Sequence, residues 1–243
     1  MTVSARRALR IAVTSDHALV AETARSALSA HGLRAETVPW VESEPQEPES
    51  GASGSGPSGS GASAAGGGAY DAGLAITEST SLRTFTEVGT TLTARPLPWV
   101  VLTRAPRGPL WGAALAAGAV VVLASDRPLG DVVAALRAAA RGVRDPRPPE
   151  AQRLREQWAR LLARRERLLD QLASLTPREH EVLRMIFEGD SAAEIAAACE
   201  VSITTVRSQV KAVLRKLDVN SQLAAVGLLD RLLDPEEPTR QVC

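Results

Sequence analysis

The amino-acid sequence predicts an α/β domain followed by an all-α domain. Up to about residue 142, short apolar segments alternate with amphipathic ones, as in a parallel sheet covered by helices. Three prolines between Asp145 and Pro149 then interrupt this pattern. Beyond them the sequence shows helical periodicity alone, first in one long segment and then in four short ones. With 243 residues, of which 44% are hydrophobic, the chain is long enough to form two cores.

The first domain, residues 1–142, is predicted as a compact (βα)5 unit. Its strands are expected at Leu9–Thr14, Ala35–Trp40, Tyr70–Thr77, Trp99–Thr103 and Ala119–Leu123. Its helices are expected at Ala18–Ser29, Ser81–Thr90, Leu110–Ala117 and Leu129–Arg141. The segment Glu42–Ala69 is rich in Gly, Ser, Pro and Glu and offers almost nothing to bury, so burial cannot offset the entropy of ordering it. We therefore expect a disordered insertion over residues 42–69.

Residues 143–173 are predicted as a linker, with a proline-rich hinge and then a helix over Glu150–Ala173. Apolar residues recur along this helix at alternating steps of four and three, which is a heptad pattern interrupted by Arg165. Two interpretations fit the pattern: the helix packs its stripe on its own chain, or it pairs with a second subunit. On the second interpretation the candidate dimerisation residues are Leu154, Trp158, Leu161, Leu168 and Leu172.

The second domain, residues 174–234, is predicted as four helices, with residues 235–243 as a flexible tail. The spacings Thr-x-x-Glu at 176–179 and Ser-x-x-Glu at 191–194 are those of capping boxes, which mark the starts of helices. The second helix is short and is joined by a tight turn to a third one over Ile203–Leu217. This arrangement is the spacing of a helix-turn-helix.

Charge is segregated on the third helix of this domain. No acidic residue lies between Thr204 and Leu217, so the helix carries four positive charges, although the net charge of the whole chain is zero. Valine and leucine gather on one helical face, and the opposite face carries Thr204, Arg207, Ser208, Lys211 and Arg215. The major groove of DNA accepts an α-helix, and phosphates attract such a face. The alternative interpretation is a solvated face in a small helical bundle.

The sequence motifs around this helix narrow the choice between DNA binding and a solvated face. The run LTPREHEVL at 175–183, EIA at 194–196, Thr205-Val206 and RKL at 215–217 resembles the LuxR/NarL-type helix-turn-helix over about 55 residues. The resemblance implies sequence-specific binding of double-stranded promoter DNA.

By that resemblance, Arg207, Ser208 and Lys211 face the bases, while Thr205 and Lys216 lie near phosphates. One departure is Gln209, where the family usually has His. Because Gln can still donate a hydrogen bond, we expect this change to tune DNA binding rather than to abolish it.

The first domain resembles the receiver domain of response regulators over about 115 residues. The residues that carry the likeness are Val13–His17, Tyr70–Asp71, Val101–Thr103 and Gly118–Ala119. A receiver uses an Asp at the end of its third strand, which accepts a phosphoryl group as an acyl phosphate. It also uses two acids after the first strand to hold Mg²⁺, a Ser or Thr after the fourth strand, and a Lys after the fifth.

Most of these receiver groups are missing from the sequence. The nucleophile position falls at Ile76, or at Thr77 with a slip of one residue, and neither side chain can form an acyl phosphate. The two Mg²⁺ positions hold Ser15 and Asp16, so one acid is lost.

Two further positions complete the predicted pocket. Thr103 is retained after the fourth strand, whereas Ser125 stands in the position of the Lys. The nearest acid is Glu78, for which we consider a role as a fixed negative charge, and Asp71 lies at the wrong end of its strand. The sequence therefore predicts a degenerate pocket that cannot be phosphorylated.

We expect a non-enzymatic bacterial transcription regulator of the orphan response-regulator type, whose DNA binding does not depend on phosphorylation. Its expected partners are promoter DNA and a second copy of the chain. RNA polymerase, a partner regulator and a small-molecule effector are further candidates. The alternatives are a module that heterodimerises with another regulator, and a ligand-responsive regulator that uses the receiver pocket.

No cofactor and no metal are expected, because the two cysteines, Cys199 and Cys243, form no ligand pattern. The apolar run over 112–124 is shorter than the roughly 20 residues of a membrane span, and Asp16 interrupts the apolar N-terminal run before a signal peptide could form. We therefore expect a soluble cytoplasmic protein with no membrane partner.

Overall fold

A computed structural model describes the backbone of residues 7–41, 70–143 and 148–233, and the side chains of these residues up to Gly227. The chain divides into two compact units, residues 1–156 and residues 157–243. The predicted insertion 42–69, most of the proline-rich hinge and the predicted tail 235–243 lie outside the described residues. Among the residues that are described, no helix is both long enough and apolar enough to cross a membrane.

The first unit contains a five-stranded parallel sheet with the strand order β2-β1-β3-β4-β5. The strands are β1 Arg10–Ser15, β2 Arg34–Thr37, β3 Ala72–Thr77, β4 Trp99–Thr103 and β5 Val121–Ala124. Every residue of β3 is buried, and so is every residue of β1 except its first. Burial on both faces explains why these strands are nearly continuous apolar runs in the sequence. The sheet confirms the predicted α/β class.

Helices α1 Ala18–Ala30, α2 Leu82–Ala94, α3 Pro109–Ala116 and α4 Leu129–Ala140 follow strands β1, β3, β4 and β5. Between β2 and β3 the described residues contain no helix, so the described part of the predicted (βα)5 unit has four helices. Helix α2 extends four residues beyond its predicted end, because Phe85, Val88 and Leu92 form a continuous buried face.

The core of the first unit lies between the sheet and helices α1 and α4. Ile11, Val13 and Leu74 from the strands pack in one cluster with Leu28 of α1 and Leu136 of α4. Helices α2 and α3 contact β3 and β5. The sheet is thus covered by helices, and the predicted receiver residues lie at its carboxyl edge.

Helix α5 spans Pro148–Ala173, and the division between the two units falls within it, after Glu156. Leu154 is buried in the first unit, and Leu168 is buried in a cluster of the second unit with Leu175 and Leu183. For Leu154 and Leu168 the assignment to a dimer contact is therefore corrected, because they pack on their own chain. The other candidates are half-buried, namely Trp158, Leu161 and Leu172.

The second unit continues with four helices, as the sequence predicts. They are α6 Pro177–Glu188, α7 Ala192–Ala198, α8 Ile203–Lys216 and α9 Gln222–Leu233. Thr176 and Ser191 each form a complete capping box with the Glu three residues later. Gly189 ends α6 with φ at +94°, a left-handed conformation that favours glycine. This unit confirms the predicted all-α domain.

Candidate nucleic-acid interface and receiver-like pocket

The turn between α7 and α8 fixes where the basic helix begins. Glu200 adopts a left-handed conformation with φ at 54°, and the amide of Val201 donates to the carbonyl oxygen of Ala196 at 3.1 Å. The hydroxyl oxygen of Ser202 then caps α8 by accepting from the amide of Thr205 at 3.1 Å. The turn and the cap together fix the residue at which α8 begins.

One face of α8 belongs to the core of the second unit. Val206 and Val213 are fully buried, and Val210 is 7% exposed. Val206 packs in a cluster that also contains Val182 of α6 and Ile195 of α7. These contacts turn the opposite face of the helix to solvent.

The solvent face of α8 is the candidate nucleic-acid interface. Five predicted residues on it are exposed: Thr204, Thr205, Arg207, Ser208 and Arg215. Lys211 is exposed as well, and in the described part of the chain none of Arg207, Lys211 and Arg215 forms an ion pair. The three cations are spaced four residues apart, so they follow about 12 Å of the helix at 1.5 Å per residue. Such a row can neutralise phosphates and reach base edges.

The hydroxyl groups on this face have local partners. Thr205 shares a hydrogen bond with Ser202 at 2.8 Å, and the hydroxyl of Ser208 donates to the carbonyl oxygen of Thr204 at 3.1 Å. The Thr205 hydroxyl is thus part of the helix cap. The oxygen of Ser208 keeps its capacity to accept a further hydrogen bond.

Lys216 differs from the other cations of α8, because its ammonium group already has partners in the protein, and its place near phosphates stays a prediction. It is half-buried, and its Nζ donates to Oε2 of Glu179 at 2.6 Å and to the carbonyl oxygen of Ser174 at 3.0 Å. The same carboxylate accepts from the amide of Thr176 at 2.7 Å. The ammonium of Lys216 and the Thr176 amide together lower the pKa of Glu179 to about 2. Lys216 therefore joins the end of α8 to the start of α6.

Gln209 is not among the exposed residues of the candidate nucleic-acid interface. It is half-buried, and its Oε1 atom is buried without a hydrogen-bond partner among the described residues. The position at which the sequence departs from the family pattern is therefore a packing position in this chain.

Arg178 is a structural residue that the sequence analysis did not single out. Its Nη2 donates to the carbonyl oxygen of Cys199 at 2.8 Å, and its Nη1 pairs with Glu181 at 2.5 Å. These contacts tie the first turn of α6 to the end of α7, immediately before the turn that sets α8. The only feature of the sequence that could have drawn attention to Arg178 is its position within the run LTPREHEVL.

The receiver-like pocket lies at the carboxyl edge of the sheet, and the sheet register decides between the two nucleophile positions. Thr77 is the last residue of β3 and pairs with Thr103 of β4. Its hydroxyl donates to Oδ2 of Asp16 at 2.8 Å. Ile76 instead packs in the apolar core, which corrects the unshifted alignment. Thr77 is therefore the residue that faces the remaining acid.

The other pocket positions leave a single carboxylate among hydroxyl groups. Ser15 donates to Oδ1 of Asp16 at 3.1 Å, and the hydroxyl oxygen of Thr103 accepts from the amide of Ala105 at 3.0 Å. Ser125 is exposed, and its amide donates to the carbonyl oxygen of Thr103 at 2.8 Å.

Neither of the other acids considered in the sequence joins this pocket as a ligand. Glu78 lies 3.9 Å from Arg104, and Asp71 is at the opposite edge of the sheet, where it accepts from the amide of Arg10 at 2.8 Å. Among the described residues no group of three His, Cys, Asp or Glu side chains could hold a metal ion. Because both oxygens of Asp16 accept hydrogen bonds from hydroxyl groups, the pocket does not fit the Mg²⁺ ion of a receiver.

Comparison with known protein families finds a match within the second unit. Residues 173–229 match the family described as bacterial regulatory proteins of the luxR family. These residues lie within the second unit, so the similarity to this family belongs to that unit. No curated protein sequence matches the chain.

Several solved structures of response regulators are similar over most of the chain. The response regulator ChrA of a heme-sensing two-component system is 22% identical, with 93% of this chain and 98% of ChrA covered and a TM-score of 0.42. FixJ from B. japonicum is 20% identical, with 92% and 96% covered and a TM-score of 0.36. RcsB from Salmonella enterica serovar Typhimurium, bound to promoter rprA, is 19% identical, with 91% and 98% covered and a TM-score of 0.37.

Proposed function

We propose that this protein is a transcription regulator that binds double-stranded DNA sequence-specifically through helix α8. The match of residues 173–229 to luxR-family regulatory proteins supports this function. The observation that carries the proposal is the solvent face of α8. Arg207, Lys211 and Arg215 are exposed there without ion-pair partners among the described residues, while the opposite face of the same helix builds the core.

The residues on this face have different roles in DNA recognition on this proposal. Arg207 can pair bidentately with O6 and N7 of a guanine, and Lys211, one turn further along, can reach a base edge or a phosphate. Arg215 lies two turns from Arg207, and its charge suits a phosphate contact. On this proposal Arg207 contributes specificity, whereas Arg215 contributes affinity that does not depend on sequence.

The test begins by selecting bound duplexes from a random library with the full-length protein. Arg207→Ala should then weaken binding to the selected duplex by about 1–3 kcal/mol and relax the preference at one base pair. Arg184→Ala is the matched control, because Arg184 is also exposed in the second unit but lies on α6, paired with Glu188 at 2.6 Å. If the folded Arg207→Ala variant binds the selected duplex as tightly as wild type, α8 is not the reading element.

DNA binding on this proposal does not require phosphorylation. The support is chemical: Thr77 stands where a receiver has its acceptor carboxylate, and Ser125 stands where it has the Lys. A Thr hydroxyl cannot form the acyl phosphate of receiver chemistry. Asp16 alone, with both oxygens engaged by hydroxyl groups, is a weak ligand for Mg²⁺.

The regulator acts as a homodimer on this proposal, and the support comes from helix α5. Leu162 and Leu169 lie seven residues apart on one face of α5 and are 41% and 45% exposed, whereas Leu168 is buried in the second unit. The double variant Leu162→Glu/Leu169→Glu should sediment as a monomer and lose binding to paired half-sites about one helical turn apart.

Leu223→Glu is the control for this test, since Leu223 is 82% exposed on α9 rather than on α5. A dimer that survives the double α5 change but dissociates with Leu223→Glu would refute α5 as the interface. The exposed basic face of α8 also disfavours the alternative of a module that only sequesters another regulator, because sequestration does not require a DNA-binding surface.

A further inference from the structure

The first unit contains a cavity of about 790 Å³ at the carboxyl ends of β4 and β5. Its other walls come from α3 and from the first turns of α5. The cavity shares Thr103 and Ser125 with the receiver-like pocket, but Asp16 and Thr77 do not line it. Its volume falls within the range of small-molecule sites, which is about 300–1,000 Å³. This cavity therefore adjoins the degenerate phosphorylation pocket without including Asp16 or Thr77.

The interior wall of the cavity is apolar and preorganised. Trp111 is 8% exposed, and its Nε1 donates to the carbonyl oxygen of Ala105 at 2.9 Å, so the orientation of the indole ring is fixed. Leu115 and Leu154 line the same wall and are buried. An aromatic or aliphatic group of a ligand can therefore pack on these side chains without burying a polar side chain of the protein.

The rim of the cavity is positively charged. Arg104, Arg107 and Arg127 line it, and Asp126 is the single acid among its described lining residues. Arg104 lies 3.9 Å from Glu78, and Arg127 lies 3.5 Å from Asp131. Both pairs are long and solvent-exposed, so they are weak and leave guanidinium donors available.

Arg107 is held differently from the other two arginines of the rim. It forms an ion pair with Glu150 of α5 at 2.5 Å and lies over the Trp111 ring at 5.2 Å. Arg104 and Arg127 are thus the groups with capacity for an anion, since a guanidinium can bind carboxylate, sulfonate or phosphate oxygens through two parallel N–H groups.

We propose that this cavity binds a small organic anion, namely an aromatic or aliphatic body that carries one carboxylate, sulfonate or phosphate group. Arg104 and Arg127 bind the anionic group, and Trp111, Leu115 and Leu154 contact the apolar body. Leu154 belongs to α5, which continues into the second unit, so a bound ligand contacts the helix that leads to that unit. Occupancy therefore changes the affinity for DNA, a consequence that rests on the proposed function.

The binding site is tested with the full-length protein and 8-anilinonaphthalene-1-sulfonate, whose fluorescence rises in an apolar site. We expect a saturable signal that naphthalene-1-sulfonate displaces and the neutral 1-naphthalenemethanol does not. The double variant Arg104→Gln/Arg127→Gln should bind the probe at least about tenfold more weakly, since two charge-assisted contacts are lost. Arg25→Gln is the control, because Arg25 is an ion-paired arginine of α1, with its side chain 40% exposed, that does not line the cavity.

Equal probe affinity in wild type and in the double variant would overturn the site, and so would equal displacement by the neutral alcohol. Circular dichroism checks that the variants fold, which is expected because the Arg104 and Arg127 side chains are 65% and 58% exposed.

The coupling to DNA is measured separately, by titrating the selected duplex with and without saturating probe. We expect the dissociation constant for DNA to change by about fivefold or more. An unchanged constant with undiminished probe binding would refute the coupling. Loss of DNA binding under all conditions would refute the proposed function, and the probe titration, which contains no DNA, would still decide the site.

Discussion

Lys211 and Lys216 are the only lysines in the chain, and we predict that replacing each with Ala has opposite consequences. Both lie on α8, and each substitution removes one positive charge, so the change in the long-range field is nearly the same. Their surroundings differ: Lys211 is exposed without an ion-pair partner among the described residues, whereas Lys216 is half-buried against Glu179 and Ser174. Comparing the two substitutions therefore distinguishes the effect of local contacts from the effect of net charge.

Lys211→Ala should weaken DNA binding and leave the fold intact. The loss of one phosphate contact lowers the slope of log affinity against log salt by about 1. If Lys211 instead contacts a base, binding weakens by about 1–3 kcal/mol on the selected duplex alone. The thermal unfolding temperature should equal that of wild type, because the buried face of α8 is unchanged.

Lys216→Ala should lower the unfolding temperature and retain DNA binding. The substitution removes the contacts at 2.6 Å and 3.0 Å that join α8 to the start of α6. For a unit of this size the expected drop is on the order of 5 °C. Unfolding is followed by circular dichroism, and binding is measured at a temperature where both variants are folded. If Lys216→Ala weakens DNA binding as much as Lys211→Ala without a drop in unfolding temperature, our assignment of the two lysines is wrong.

Three further predictions concern the pocket, the helix junction and the sheet. Acetyl phosphate or beryllofluoride with Mg²⁺ should neither modify the protein nor change its DNA affinity. A stable phospho-adduct detected by intact mass would contradict our inference that a protein with Thr77 at the acceptor position cannot be phosphorylated. The pKa of Glu179 is lowered from 4.5 to about 2, so its ion pair stabilises the fold above about pH 4.5 and is lost as the pH falls toward 2. Unfolding temperature between these pH values should therefore fall more steeply in wild type than in Glu179→Gln, and parallel curves would contradict this. Gly73→Ala should destabilise the first unit by about 1–3 kcal/mol, because a Cβ there collides with the Trp99 ring, whereas Gly130→Ala, with open space around it, should not.

The sequence was sufficient for the elements whose signals are local. The capping boxes at Thr176 and Ser191 each involve residues within one turn of one another, and both formed as predicted. The alternation of strands and helices likewise predicted the parallel sheet, although α2 extends beyond its predicted end. That helix contains several threonines, whose weak helix propensity is overcome by burial of its apolar face.

The sequence was insufficient where long-range contacts decide a residue's role. Lys216 has the residue type and helix position of a phosphate contact, but its partner Glu179 lies 37 residues earlier and meets it only in the folded unit. Leu154 and Leu168 likewise belong to one heptad pattern, yet the cores of two different units bury them. A periodic stripe specifies which face is apolar, and it does not specify what covers that face.

The choice between Ile76 and Thr77 illustrates the same limit within a strand. Successive side chains of a strand point to opposite faces, so a slip of one residue exchanges the core residue for the pocket residue. In a strand buried on both faces, no polar alternation marks which is which. The hydrogen bond from Thr77 to Asp16 resolves the register, and it also explains how a lone carboxylate is accommodated at this edge of the sheet. Thr77 and Ser15 each donate a hydroxyl to it, so the charge that remains from the receiver pattern is satisfied by neutral partners rather than by a cation.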